Sequence, residues 1–141
     1  MKNSVFIFFF LFALVCSIST CMGPVEAEDG PVDLIGTWRG TLYNAISDTQ
    51  SIAELTVSSQ EGIRFEGEAL IDSVTYTMSG TLQQRQVTAS LTAYIPEYDT
   101  EIQIDATGKL LRDDYITGTW NDNGSYLGFS DGGQFNFTKD K

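Results

Sequence analysis

Glu66 and Glu68 stand two residues apart, a spacing that puts both carboxylates on one side of an extended strand, close enough for paired acid and base work. They alternate with Phe65, Gly67 and Ala69, so the strand turns its apolar side inward and leaves the pair in solvent. Asp113-Asp114 and Asp122-Asn123-Gly124-Ser125 offer oxygen ligands of the kind calcium takes, yet neither run has EF-hand spacing and both read as turns. The chain has no histidine, and its cysteines, Cys16 and Cys21, both lie near the N-terminus. After residue 21 the commonest bases, thiol nucleophiles and zinc ligands are therefore missing. No glycine-rich phosphate loop opens a helix. The expectation is a protein with no catalytic residues, no metal and no cofactor, which acts by binding. A carboxylate-based hydrolase is the distant alternative.

Candidate binding residues are those that alternation turns inward and that carry bulk: Trp38, Tyr76, Met78 and Trp120. Many other inward positions are Ala or Gly, which either narrows the interior or leaves a slot for a small apolar molecule. The second reading is a periplasmic interaction or inhibitor module whose partner is an envelope protein. It draws on the acidic exterior and on the polar stretch Asn44–Ser51. Arg39, a cation on the first strand, is expected in a surface ion pair. With 8 Lys and Arg against 19 Asp and Glu, the formal charge is −11, and no stretch is basic. Nucleic acid is excluded as a partner, because binding it requires a basic footprint, and an anionic lipid surface would repel the domain.

Positioning these residues falls to strands, since the apolar period is two throughout. Runs from Leu34 to Tyr43, Ile52 to Ser59, Ile63 to Ile71, Val74 to Leu82, Val87 to Ile95, Glu101 to Leu110, Tyr115 to Asn121 and Gly133 to Thr138 each alternate. A short extra strand is possible around Tyr126 to Phe129. Gln60-Glu61-Gly62, Asp72-Ser73, Gln83-Gln84-Arg85 and Asp113-Asp114 punctuate the runs, and Pro96 stops the fifth. About eight strands in sequence, with no helix long enough for a parallel crossover, imply an antiparallel meander that closes into an up-and-down barrel. A two-sheet sandwich would use the same pattern. Glycines on the apolar faces mark the tight bends of such a barrel.

The N-terminus reads as a targeting segment. Lys2 precedes an apolar run from Val5 to Ile18, too short to cross a bilayer comfortably, then small polar residues lead to Cys21. Residues 1–20 are expected to be a signal peptide, 21–32 a flexible tether rich in Gly, Pro and acid, and 33–141 the barrel. Cleavage after Ala27 is the alternative. No disulfide can staple the folded part, whose stability must come from burial.

Gly36-Thr37-Trp38-Arg39-Gly40 and Ile116-Thr117-Gly118-Thr119-Trp120 resemble the strand signatures of the calycin group of barrels, the lipocalins and avidins. Ile18-Ser19-Thr20-Cys21 resembles a bacterial lipoprotein box, with Thr20 where a smaller residue is usual. The first likeness implies a small closed barrel; the second implies acylation of Cys21 and anchoring in the cell envelope by that lipid alone. Bacterial lipoprotein barrels that inhibit lysozyme are similar in size, export and strand count, but commonly carry a disulfide this chain lacks. In avidins the Ile-Thr-Gly-Thr-Trp segment opens the first strand, whereas here it lies in the penultimate one, and biotin contacts are not implied.

Overall fold

The computed structural model describes residues 32–123 and 131–141. The expected signal peptide, Cys21 and the possible strand at Tyr126 to Phe129 lie outside them. Eight strands follow one another: β1 (Gly36–Asn44), β2 (Thr49–Glu61), β3 (Arg64–Ile71), β4 (Val74–Gln83), β5 (Gln86–Ile95), β6 (Thr100–Arg112), β7 (Tyr115–Asp122) and β8 (Gly132–Lys139). Each pairs antiparallel with the next, and β8 pairs with β1, so the sheet closes into an up-and-down barrel. The sandwich alternative is thereby excluded. Closure leaves no raw strand edge.

Alternation explains the register. Trp38, Leu42, Ala53, Val57, Phe65, Ala69, Ile71, Met78, Leu91, Ile104, Phe135 and Phe137 all face inward and are buried, and none of the described buried core residues is polar or charged. Two hairpins use the left-handed pair of residues that suits strand twist, Asp72-Ser73 (φ 47° and 71°) and Gln84-Arg85 (φ 49° and 64°). Two wider loops are closed alike: Tyr43 donates to Asp48 at 2.7 Å and Tyr94 to Asp99 at 2.5 Å, and each aspartate adopts a left-handed backbone. These loops, with the β3–β4 turn and the end of β7 at Asp122, form the far end of the barrel. The near end is where β1 begins.

Three expectations need correction. Ile63, expected inside, is half exposed, because β2 runs on to Glu61 and Gly62-Ile63 become the turn. The polar loop expected over Asn44–Ser51 is only Ala45–Asp48, since Thr49 to Ser51 already pair with β1. Leu34 and Ile35 precede β1 instead of opening it.

A bulge between Val57 and Ser59 has a further effect. It reverses the alternation of β2, so that Gln60 lines up with inward-facing Phe65. Its amide then binds the incoming chain on both sides: Oε1 accepts from Leu34 N–H at 2.7 Å and Nε2 donates to the Val32 carbonyl at 2.9 Å. Leu34 is thereby held in the near end as a buried plug.

Candidate functional site

The barrel interior is nearly filled. Ala53, Ala69 and Ala93 are buried within the core, so the small residues narrow the cylinder instead of opening a wide slot. What remains is an axial void of about 60 Å³, lined entirely by apolar residues including Trp38, Met78, Ala89, Ala106, Trp120 and Phe135. A water there would find no polar partner, and such voids stay dry.

Strand register explains its shape. Gly118 on β7 faces Gly108 on β6, and a Cβ on either would come within 3 Å of the Phe135 ring, which lies over both. Phe65 covers Gly80 in the same way. The glycines thus admit two aromatic rings flat against the wall, and the void lies beyond them.

Three of the four residues singled out from sequence converge on the void: Trp38, Met78 and Trp120. Trp38 is buried toward the near end, where its indole N–H donates to the Leu34 carbonyl at 2.9 Å. Trp120 is half-buried toward the far end, opposite Gly133, and its N–H reaches past β8 to the Tyr43 carbonyl at 3.1 Å. Both indoles direct their polar atom into the wall and present carbon to the void.

Tyr76 is buried but does not line the void. Burial pushes its phenol above the ordinary tyrosine range, and the carboxylates of Asp122 and Asp72 push the same way. It therefore stays neutral at any physiological pH.

Glu66 and Glu68 are exposed on the outer face, and Arg39 pairs with Glu54 at 2.9 Å and Asp140 at 3.2 Å. No group of three or more His, Cys, Asp or Glu side chains that could hold a metal ion occurs among the described residues.

Sequence reasoning missed Gln60 and Leu34 as the seal of the near end. Gly62, with its left-handed backbone (φ 60°), marks the hairpin turn, but no residue type marks the bulge that turns Gln60 inward.

No protein-family model matches the chain, and neither does any curated protein sequence. Among solved structures it is similar to a redesigned β-barrel (TM-score 0.59, 12% identity, covering 77% of this chain and 92% of that one). It is likewise similar to EF1p2_mFAP2b bound to DFHBI (TM-score 0.57, 13% identity, 76% and 94% covered). A third is the redesigned β-barrel mFAP1 bound to DFHBI (TM-score 0.53, 15% identity, 75% and 94% covered). At these identities the likeness concerns the fold.

Proposed function

We propose that the chain is an exported, non-catalytic binding barrel that takes a small uncharged apolar molecule into its axial void. The observation that carries this reading is the void itself, dry and bounded by carbon between Trp38 and Trp120. With no polar group to orient a ligand, selection rests on size and shape. At about 60 Å³ the void is less than half the ~150 Å³ that admits benzene, and far below the ~300 Å³ at which drug-sized pockets begin. The closed form accepts only a few heavy atoms. A larger guest requires Trp120 to swing outward and Met78 to change rotamer, which an unbranched side chain does readily. Entry is from the far end, because Leu34 seals the near one. That EF1p2_mFAP2b and mFAP1, two of the similar structures, are bound to DFHBI supports the reading by architecture alone.

Xenon is a suitable probe of a dry void. The ¹²⁹Xe chemical shift should move steeply with added protein, and Ala106→Leu, which fills the space from β6, should remove most of that slope while the fold persists. Equal slopes for both proteins would place xenon elsewhere and end the proposal.

The same reading holds the barrel in the cell envelope by a lipid on Cys21, on the strength of the apolar run and the residues before that cysteine. In a bacterial host the chain should incorporate labelled palmitate, and Cys21→Ala should abolish it. Release of both forms after Ala27, unlabelled, would replace anchoring by simple secretion.

A further inference from the structure

Among the described residues, positive charge is confined to one half of the barrel. Arg39, Arg64, Arg85, Lys109, Arg112, Lys139 and Lys141 all belong to the near half, as their strand positions require. The far end carries Asp48, Asp72, Glu97, Asp99, Glu101, Asp122 and Asp131 with no Lys or Arg among its described residues, and none occurs in the sequence between 123 and 131.

Beside this acidic end the outer wall has an apolar row. Tyr43, Ile52 and Leu70 face outward on β1, β2 and β3, exposed by 41%, 80% and 47%. Thr41 pairs with Ile52 and Glu54 with Leu70, so each member sits two residues along from the one on the neighbouring strand, a continuous diagonal. Ile46, 68% exposed in the adjoining loop, extends its upper edge. Diagonal neighbours lie about 7–8 Å apart, so the row spans roughly 15 Å, close to three turns of an α-helix at about 5.4 Å each. Carboxylates border it on both sides, Asp48 and Asp72 toward the far end and Glu54 and Glu68 toward the near end. Asp72 is oriented by the Ser51 hydroxyl, Asp48 by the Tyr43 hydroxyl, and Glu68 has no ion-pair partner among the described residues.

We propose that this face docks a basic amphipathic helix of a partner protein, its apolar stripe on Tyr43, Ile52 and Leu70 and its flanking Lys or Arg side chains on the bordering carboxylates. The charge pattern selects the occupant. An acidic or neutral helix would desolvate Asp48, Asp72 and Glu68 without counter-charge, Glu54 being already paired with Arg39, and an anionic membrane would be repelled. The surface is separate from the axial void, so its occupancy does not depend on the interior reading.

The test uses the full chain and a fluorescein-labelled model helix of about 15 residues, with Leu at i, i+4, i+7 and i+11 and Lys on both flanks. Anisotropy should report saturable binding that weakens steeply between low and physiological salt. Ile52→Thr with Leu70→Thr should weaken it about tenfold or more, roughly 1.4 kcal/mol, while leaving the melting temperature nearly unchanged, because both side chains are exposed and Thr keeps strand propensity. Glu68→Gln with Asp72→Asn should flatten the salt dependence.

A peptide of the same composition without the stripe should bind at least several-fold more weakly. Equal binding of that peptide, or no effect of the Thr variants, would reduce the contact to diffuse charge attraction and overturn the proposal. So would concentration-dependent dimerisation in sedimentation velocity, or adsorption to phosphatidylcholine vesicles, if the Thr variants removed it, since the face would then belong to a second copy or to lipid.

Discussion

Gly40→Ala should prevent the barrel from closing properly. Gly40 lies in β1 opposite Phe137 of β8, on the one seam that joins the first strand to the last. A Cβ at this position would stand 1.8 Å from the Asn136 carbonyl oxygen and 2.8 Å from the Phe137 Cα, both backbone atoms of β8. Nothing flexible is available to yield. Relief requires the seam to part, and ordinary overpacking, at about 1–3 kcal/mol, becomes the lower bound.

A small domain has about 5–15 kcal/mol of stability in all, and parting the seam also exposes β1 and β8 as free edges that invite aggregation. The expected result is a urea midpoint lowered by a large fraction of its value, weaker near-ultraviolet dichroism and poor recovery of monomer. Gly62→Ala is the contrasting variant. Its Cβ would meet nothing within 4 Å, and only the left-handed backbone (φ 60°) opposes it, at about 1–2 kcal/mol. A Gly40→Ala protein as stable as Gly62→Ala would mean that the seam between β1 and β8 is not what holds the cylinder.

The period-two pattern made the strands, their order and most inward faces readable, because a closed meander buries one side of every strand and leaves little else to decide. The bulges at Val57/Ser59 and Leu110/Arg112 were not readable. A bulge inserts one residue without any composition signal, and past it the parity reverses, which hides the inward position of Gln60; Ile63 is a separate case, since it belongs to the turn between β2 and β3. The twin motifs ending in Trp38 and Trp120 also concealed a difference. Trp38 comes two residues after the start of β1 and Trp120 two before the end of β7, so near-identical motifs occupy opposite ends of the cylinder, Trp38 buried beside Leu34 and Trp120 half-buried.

Of the residues that line the void, Trp38, Met78 and Trp120 were legible from alternation, while the size of the void was not. It depends on how closely Phe135 and Phe65 settle over Gly118, Gly108 and Gly80, a matter of fractions of an ångström across strands far apart in sequence. Charge polarity was equally hidden, since the net charge says nothing about which end of which strand carries each group.

Trp38→Phe should destabilise the barrel several times more than Trp120→Phe, although both remove an indole N–H and little apolar area. Trp38 is 1% exposed, and its N–H satisfies the Leu34 carbonyl inside the near end. Lys139 stands 5.7 Å from the centre of its ring and donates to the Asp33 carbonyl at 2.8 Å, tying the end of β8 to the same plug. Phenylalanine would leave the Leu34 carbonyl buried without a donor, at about 1–3 kcal/mol. The ring would also be smaller, so the plug would pack less tightly.

Trp38→Ala goes further, at about 3–5 kcal/mol, and should open the near end to water. Trp120 donates to Tyr43 where water can replace it, and its loss of the N–H should cost less than about 1 kcal/mol. Urea denaturation of the three variants measures the order. Emission gives a second reading: Trp38 alone, in the Trp120→Phe protein, should fluoresce at shorter wavelength than Trp120 alone in the Trp38→Phe protein. Similar midpoint shifts for the two Phe variants would mean that the near end is not sealed by the Trp38–Leu34 contact, and a ligand could then enter from either end.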